Sequence, residues 1–468
     1  MTADPGQLAD GDMDSTTRGN GMILMEFLVV LGCLLLGTRF GGMGLGLISG
    51  IGLFLLTFVF GLVPGEPPVQ VMLTILAVIG CAATLQTAGG LNLMMQVAER
   101  LLRRHPQYIT LLAPLTTWTL TFLCGTGHVV YTMFPIIADI ALQKNIRPER
   151  PMAVASVASQ MAICASPVSV AVVSMVSILA AAHGVGQAYG LLDILMVAIP
   201  SSLMGVMMAA LWSLRRGKDL DKDEEFQAKI KDPAQRDFIY GGGETLLNTK
   251  FPKEAYWSTW IFFAAIAAVV LLGADEALRP VFTIKEKTGP LSMNLVIQMM
   301  MLIAGAIILM RCKVKPGEIA NGAVFKAGMV AIFSVFGVAW MSETFFQAHM
   351  PLLKETLAHV VQAQPWTYAL VLFLISKLVN SQAAALTAIA PMGLALGVEP
   401  KLLIAFLPAS YGYFVLPTYP SDLACIGFDR SGTTRIGKFI INHSFIIPGL
   451  IGVSSASAVG YLLTTILL

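Results

Sequence analysis

Long apolar stretches recur from one end of the chain to the other, and they constrain the fold more than any other feature. Seven runs precede a hydrophilic segment, at 23–37, 44–63, 69–88, 108–123, 129–142, 152–182 and 191–214. Seven more follow it, at 257–273, 291–310, 324–340, 366–379, 383–396, 402–428 and 439–467. A helix needs about 20 apolar residues to cross a bilayer, and these runs lack the alternation of strands. The sequence therefore predicts an all-α polytopic membrane protein.

Composition agrees with a membrane location. Hydrophobic residues make up 56% of the chain and charged residues only 12%, whereas a soluble protein averages about 25% charged residues. The six cysteines form no CxxC pair, so we interpret them as small packing residues and expect no disulfide, metal or other cofactor. The lipid bilayer is the predicted partner, and we expect no nucleic-acid partner.

The chain divides into two similar halves. Residues 1–21 are acidic and rich in Gly, Thr and Asp, which predicts a disordered tail. Residues 22–214 form one repeat and 257–468 the other, joined by a linker at 215–256 with nine Lys/Arg and nine Asp/Glu. In the first repeat "CGTGHVVYTMFP" precedes "IRPERPMAVASVASQMAICASPVSV", and in the second "KLVNSQAAALTAIAP" precedes "VEPKLLIAFLPASYGYFVLPTYPSDL". Duplicated halves with helices interrupted at corresponding places are typical of secondary transporters.

Lysine and arginine predict the orientation. If the linker is cytoplasmic, the basic clusters at 100–104, 144–150, 311–315 and 430–438 all lie on that side, as the positive-inside rule requires. Both termini are then periplasmic. An odd number of segments per half makes the repeats inverted. We predict about ten transmembrane helices, some of them broken, plus two re-entrant hairpins at 108–142 and 366–396, with fourteen full crossings as the alternative.

Four interruptions place polar residues at membrane depth, and we take these residues as the candidate substrate site. A half-helix that begins inside the membrane presents unpaired N–H groups and the positive end of its dipole, which suits a carboxylate. The candidates are Thr126, Gly127 and His128 in "GTGH"; Ser166, Pro167 and Ser169 in "ASPVS"; Lys377, Asn380, Ser381 and Gln382 in "KLVNSQ"; and Thr418, Tyr419, Ser421 and Asp422 in "LPTYPSD".

Each candidate also has an ordinary structural explanation. A Ser or Thr in a membrane helix usually bonds its own backbone, and His128 can be a satisfied interior histidine. A lysine at mid-membrane costs roughly 2.5–3.5 kcal/mol, so Lys377 needs a substrate, an ion pair with Asp422, or a route to the interface. Asp139 is expected to pair with Lys144 or Arg147.

One basic loop imitates a nucleotide site. "GTTRIGKF" has the spacing GxxxxGK, but Phe439 stands where magnesium needs Ser or Thr. We therefore expect a cytoplasmic loop and no ATP-driven transport within this chain.

Several of these motifs resemble a known family. "CGTGHVVYT", "IRPERPMA", "SKLVNSQAAAL", "LPTYPSDLA", "DRSGTTRIGKF" and "NHSFIIPG" are similar to those of the Dcu family of anaerobic C4-dicarboxylate transporters of Gram-negative bacteria, from about Met22 to the C-terminus. The loop "KDLDKDEEF" and the lysine before "NSQ" look most like its fumarate/succinate antiporter branch. The tips "GTGH" and "NSQ" also look distantly like the Ser-Asn-Thr tips of divalent anion/sodium symporters, although neither tip has that sequence.

The resemblance implies a function and a location. It implies exchange of external fumarate, malate or aspartate for internal succinate across the bacterial inner membrane in anaerobic respiration. It also implies cation-coupled uptake, a co-sensor role beside a membrane sensor histidine kinase, and an elevator-type movement. An anion channel for small organic acids is the alternative that the residues leave open. An enzyme is disfavoured because the sequence offers no nucleophile–base pair, and a homo-oligomer stays open.

Overall fold

The chain is described by a computed structural model that covers residues 7–40, 43–181, 189–241, 245–284, 287–417, 419–437 and 442–468. The half before the linker contains nine helices: α1 (Gln7–Phe40), α2 (Gly44–Phe54), α3 (Val69–Thr87), α4 (Gly90–Arg104), α5 (Ile109–Cys124), α6 (Val130–Gln143), α7 (Glu149–Met161), α8 (Val170–Ala181) and α9 (Leu191–Ser213). A π-helical turn, Leu55–Val59, extends α2.

The linker and the second half are also mainly helical. The linker contains α10 (Glu224–Lys229) and α11 (Pro233–Tyr240). The helices that follow are α12 (Lys253–Ala274), α13 (Met293–Arg311), α14 (Pro316–Ile319), α15 (Ala323–Ala363), α16 (Trp366–Val379), α17 (Gln382–Ala395), α18 (Pro400–Ala405), α19 (Pro420–Phe428) and α20 (Ile446–Leu467). Between α12 and α13, strands β1 (Val281–Ile284) and β2 (Lys287–Pro290) pair antiparallel, with Val281 opposite Pro290.

The described helices are long and apolar enough for a membrane protein. Six stretches qualify as candidate spans by length and composition: Val69–Thr87, Leu191–Ser213, Lys253–Ala274, Met293–Arg311, Ala323–Leu352 and Ile446–Leu467. Shorter apolar helices include Trp366–Val379 and Gln382–Ala395. The prediction of a nearly all-helical polytopic protein is therefore confirmed.

Two predicted boundaries differ from the structure. Helix α1 begins at Gln7, so residues 7–21 of the expected disordered tail have helical backbone, continuous with the apolar segment that follows. Helix α15 continues past the expected end at 340 to Ala363. Two polar side chains of its second half have partners, since Thr344 donates to the Trp340 carbonyl and His349 bonds Glu26 of α1.

Helix α4 is an element that apolar runs do not predict. It is amphipathic: Leu91, Met95 and Leu102 are buried, while its last turn ends in Arg103 and Arg104. Arg103 lies 3.1 Å from Asp139 of α6. The expected pairing of Asp139 with Lys144 or Arg147 is therefore wrong, because α4 brings a nearer arginine against this face of α6.

The helices pack into two groups. The first, which we call the scaffold group, comprises α1, α2, α3, α12, α13 and α15, which pack mainly against one another. The second, the tip group, comprises α5–α9 and α16–α20, and its most extensive contact joins α9 of one half to α20 of the other. Helix α4 contacts α12 and α3 of the scaffold group as well as α5 and α6 of the tip group. The two groups meet chiefly where α15 packs on α17.

An ion-pair network joins the halves of the tip group at one end. Glu149, the first residue of α7, accepts hydrogen bonds from Arg147, Arg216 and Ser444, with O···N distances of 2.8 Å to both arginines. Asp429 accepts from the amides of Ser431 and Thr434. The Glu149 amide donates to the Thr433 hydroxyl at 3.1 Å, so the motifs "IRPERP" and "DRSGTTR" build this junction together.

The linker is fixed at both ends. Its first part binds α7 and the residues before it, since Arg147 reaches Asp223 and Arg150 reaches Asp219, both at 2.6 Å. Its last part binds α4, where Gln96 donates to the carbonyls of Leu246 and Thr249. The linker therefore touches the tip group at its beginning and α4 at its end.

Close approach of α2 to α15 generates a stability prediction. A Cβ on Gly46 would lie 1.9 Å from the Phe333 carbonyl oxygen of α15, so Gly46→Ala must push the two backbones apart. We expect a loss of roughly 1–3 kcal/mol, typical of overpacking, and a lower melting temperature in detergent. Gly50→Ala is the matched control on the same helix, because its Cβ would meet nothing within 4 Å. Equal melting temperatures for the two variants would contradict this packing.

Candidate functional site

The first tip joins α5 to α6. Helix α5 ends at Gly125, which adopts a left-handed conformation with φ of 71°. Thr126 follows in an extended conformation, and its hydroxyl accepts from the His128 amide at 3.4 Å and lies 2.9 Å from Nδ1 of the same histidine. A Cβ on Gly125 would lie 2.6 Å from the Val168 carbonyl oxygen. Glycine therefore lets the tip turn sharply and touch the break between α7 and α8.

The second tip, between α16 and α17, repeats this geometry with different residues. Asn380 is left-handed, with φ of 48°, which Asn tolerates better than most residues. Ser381 is extended and caps α17 by accepting from the Ala384 amide at 3.3 Å. Each tip therefore consists of a left-handed residue and then an extended hydroxyl residue that caps the returning helix.

The break between α7 and α8 is closed mainly by its own serines. A short 3₁₀ turn, Ala162–Cys164, follows α7. The Ser169 hydroxyl donates to the Ile163 carbonyl at 2.6 Å and accepts from the Val172 amide at 3.2 Å. Ser166 accepts from the Val168 amide at 3.4 Å, and Pro167 is buried. These candidates satisfy backbone groups that the interruption frees, which is their ordinary structural role.

The break between α18 and α19 contains two 3₁₀ turns, Leu407–Ser410 and Tyr413–Val415. Helix α16 lies directly against it, because a Cβ on Gly412 would be 2.1 Å from the Phe373 carbonyl oxygen. The Gly412 amide donates to the Ser376 hydroxyl at 2.7 Å. Tyr419 stacks near Tyr413, with ring centroids 4.3 Å apart. Thr418, a further candidate, lies outside the described residues.

Lys377 connects this break to the second tip. Its ammonium donates to the Asn380 side-chain oxygen at 3.1 Å and to the carbonyls of Tyr413 and Leu416, both at 3.4 Å. Tyr413 begins the second 3₁₀ turn and Leu416 directly follows it, so both carbonyls belong to the interruption between α18 and α19. The lysine therefore supplies donors to backbone that lipid could not satisfy.

Asp422 has a different immediate partner. It is 1% exposed, and its Oδ1 accepts from the Ser156 hydroxyl of α7 at 2.8 Å. Ser421 lies 3.3 Å from the same hydroxyl. Asp422 and Lys377 attract each other electrostatically, but their described hydrogen bonds lead to other groups. The ion pair between Lys377 and Asp422 therefore stays a prediction.

A cavity of about 460 Å³ opens between the tip group and the scaffold group. It brings together seven candidates: Thr126, Gly127, His128, Asn380, Ser381, Gln382 and Tyr419. Among the described candidates, the residues that do not line it are Ser166, Pro167, Ser169, Lys377, Ser421 and Asp422. The facing wall comes from α2, α3 and α15 and is mainly apolar.

Sequence reasoning missed the residues that hold the two tips together. Gln160 near the end of α7 is 2% exposed, and its side-chain oxygen accepts from the Tyr413 hydroxyl at 2.7 Å. Its backbone carbonyl accepts from the Gln382 side chain at 2.8 Å. The signal available was the polar Gln160 within the apolar run 152–182, only a few residues before the predicted break.

The arrangement suits a small anion. Capped helix starts point into the cavity from both tips, and helix N-termini attract negative charge. The hydroxyls of Thr126 and Ser381 are neutral hydrogen-bonding groups beside the same space, whereas the Gln382 amide already bonds Gln160 and Tyr413. Within the described residues no cluster of three or more His, Cys, Asp or Glu side chains could hold a metal ion. The chemistry offered is binding and release of a polar solute.

Comparison with known proteins decides the family. Residues 22–468 match the family model described as anaerobic C4-dicarboxylate membrane transporter. The chain belongs to this family. The anaerobic C4-dicarboxylate transporter DcuB of Escherichia coli O6:H1 is 55% identical over 94% of this chain and 98% of that protein. The C4-dicarboxylate transporter DcuA of Wolinella succinogenes is 38% identical over 96% of this chain and 100% of its own length.

These matches confirm the resemblance inferred from the motifs, including the nearer likeness to DcuB. The chain is a membrane transporter and not an enzyme.

Solved structures add support for the fold alone. The YdaH transporter of Alcanivorax borkumensis superposes with a TM-score of 0.55 at 15% identity, covering 95% of this chain and 98% of that one. MtrF of Neisseria gonorrhoeae superposes with a TM-score of 0.55 at 13% identity, covering 92% of this chain and 96% of MtrF.

The contacts of Lys377 predict the effect of removing its charge. Lys377→Met keeps the length of the side chain but takes a donor from the Tyr413 and Leu416 carbonyls. We expect a loss of about 1–3 kcal/mol, the cost of a buried unsatisfied group, seen as a lower melting temperature in detergent. Lys401→Met is the control, since the ion pair described for this partly exposed lysine is with Glu399 at 3.5 Å.

A double variant separates the two explanations of Lys377. If the lysine mainly neutralises Asp422, Lys377→Met with Asp422→Asn should restore the melting temperature. If it mainly satisfies carbonyls, the double variant should be no more stable than Lys377→Met alone. We expect the second result, and full recovery would show that the ion pair dominates.

Proposed function

We propose that the chain exchanges C4-dicarboxylates across the bacterial inner membrane, taking up fumarate, malate or aspartate and releasing succinate. The observation that carries this proposal is the pair of capped tips that meet at one cavity, because a diacid has two carboxylates to place. The cavity of about 460 Å³ falls within the roughly 300–1,000 Å³ typical of small-molecule pockets. Family membership supports the substrate class.

The site residues have distinct roles in this proposal. Thr126 and Ser381 line the cavity and offer neutral hydroxyl donors, which bind an anion without a second buried charge, and Gln382 lines it with an amide that holds Gln160 and Tyr413. His128 and Tyr419 also line it. Lys377 contributes positive charge through its contact with Asn380, while the serines of the first break hold the backbone in place.

The two helix groups support an elevator-type movement. Counting each broken pair α7–α8 and α18–α19 as one crossing gives five crossings in each half: α1, α2, α3, α7–α8 and α9, then α12, α13, α15, α18–α19 and α20. The pairs α5–α6 and α16–α17 are the re-entrant hairpins, which makes the halves inverted repeats. In this arrangement the tip group carries the substrate past the apolar wall of the scaffold group.

Two finer parts of the proposal rest on resemblance to the family. One is cation-coupled uptake, for which a sodium or proton gradient across proteoliposomes is the test. The other is a co-sensor role beside a membrane sensor histidine kinase. Neither part is needed for the exchange reaction itself.

Counterflow tests the exchange reaction. Proteoliposomes loaded with unlabelled succinate should accumulate labelled fumarate well above the level of empty vesicles, and the rate should saturate with external fumarate. Uptake that does not depend on internal dicarboxylate and rises linearly with concentration would indicate an anion channel instead.

The same counterflow assay tests the role of Thr126, with Thr119 as a matched control. Thr126→Ala removes a cavity donor and should raise the KM for fumarate about tenfold, because a hydrogen bond to a charged group contributes about 1.5–3 kcal/mol. Thr119→Ala on the same helix is the control, since this exposed threonine donates to the Leu115 carbonyl of its own helix and does not line the described cavity.

Labelling of single cysteines tests the proposed orientation. Glu224→Cys in the linker should react with an impermeant maleimide only from the cytoplasmic side, and Glu66→Cys before α3 only from the periplasmic side, because Lys and Arg concentrate in cytoplasmic loops. The unsubstituted chain is the control, since its six native cysteines are buried or half-buried. Reversed labelling would overturn the orientation and the facing of both hairpins.

A further inference from the structure

Gln160 occupies a position between the two tips that no motif assigns. It lies near the end of α7, and both its backbone and its side chain bond elements of the other repeat. Gln382, the first residue of α17 at the second tip, donates to its backbone carbonyl at 2.8 Å. Its side-chain oxygen accepts from the hydroxyl of Tyr413 in the break after α18, at 2.7 Å.

The same side chain presses against the first tip. A Cβ on Gly127 would lie 2.4 Å from the Gln160 side-chain nitrogen and 3.1 Å from its amide carbon. The amide group therefore rests on the Gly127 backbone, and only glycine leaves room for it. Through one residue, the first tip, the second tip and the second break are in mutual contact.

The side chains that bond Gln160 are buried. Gln160, Gln382 and Tyr413 are 2%, 4% and 1% exposed. The Gln382 side chain also lies 3.3 Å from the Tyr413 hydroxyl and accepts from Cys164 at 3.2 Å. A buried polar network of this kind holds its members in one arrangement, because each lost bond leaves an unsatisfied group.

Gln160 does not itself reach the substrate. Among the described residues that line the cavity, Gly127, Gln382 and Tyr413 are present and Gln160 is absent. Its effect on a bound solute must therefore act through the positions of those three residues. Gln160 is therefore a positioning residue, which holds other residues in place without touching the solute.

We propose that Gln160 sets the separation of the two tips and so selects the length of the transported diacid. This inference rests on the proposed function, in which each tip receives one carboxylate. With the tips held at a fixed separation, a diacid one methylene longer or shorter than succinate places only one carboxylate well. Discrimination between diacids then depends on the rigidity of the Gln160 contacts.

The test compares succinate with glutarate, which is one methylene longer, in counterflow from succinate-loaded proteoliposomes. Gln160→Met keeps the size of the side chain and removes its hydrogen bonds. We expect the ratio of kcat/KM for succinate to that for glutarate to fall about tenfold, since one misplaced methylene is worth about 10–200-fold in a rigid site. The KM for succinate should rise more than kcat falls.

Gln96→Met is the matched control. Gln96 is equally buried, at 2% exposed, and donates to the Leu246 and Thr249 carbonyls, and none of these three residues lines the described cavity. It should lower protein yield or melting temperature without changing the ratio. A purely structural role for Gln160 would give the same pattern as Gln96→Met and would overturn the inference.

Tyr413→Phe provides a second variant if Gln160→Met fails to fold. It removes only the hydroxyl that bonds Gln160 and should lower the same ratio. The double variant should change the ratio by less than the product of the single changes, because both remove one shared bond. If the wild-type protein exchanges no dicarboxylate, the proposed function fails. If it does exchange them and every variant keeps the wild-type ratio, the inference about Gln160 fails alone.

Discussion

The structure depends on one constraint, which is that backbone groups inside a bilayer need partners from the protein itself. A helix interrupted at membrane depth frees several N–H and C=O groups at once. In this chain Thr126 and Ser381 cap the returning helices, Ser169 closes the first break, and Lys377 donates to carbonyls of the second. The polar residues of the candidate site therefore satisfy the backbone before any solute arrives. A solute that binds the cavity meets a site that is already assembled.

Glycines that allow two helices to touch lie within each helix group, away from the polar breaks. Gly46 and Gly337 let α2 and α15 touch within the scaffold group, and Gly205 meets the Gly452 carbonyl where α9 packs on α20 within the tip group. Tight backbone contact thus lies inside each group. The wall that the scaffold group presents to the cavity is mainly apolar and includes Val78 and Ile79. The proposed elevator-type movement would carry the tip group past this wall.

Much of this architecture could be predicted from the sequence, because bilayer thickness fixes the length of apolar runs. The run at 366–379 coincides with α16, and the polar interruption "ASPVS" coincides with the break between α7 and α8.

Helix α4 was missed because its apolar face is a stripe and not a continuous run. The end of α15 was missed because His349 lowers local hydropathy, although Glu26 satisfies it. Gln160 was missed for a related reason: its partners lie more than 200 residues away along the chain, and only the folded structure brings them together.

The two tips are alike in backbone and unlike in charge. Three residues before the left-handed Asn380 stands Lys377, whereas three residues before the left-handed Gly125 stands Phe122, whose ring stacks on Trp118 at 5.2 Å. Only one tip therefore has an ammonium beside it, although both present capped helix starts to the cavity. A symmetric diacid in the proposed site would meet unequal surroundings at its two carboxylates. The carboxylate at the second tip would have the nearby charge of Lys377, and the one at the first tip would depend on neutral donors and the helix dipole. The shared geometry of the tips is what the predicted duplication would give, and differences at single positions make one end of the site unlike the other.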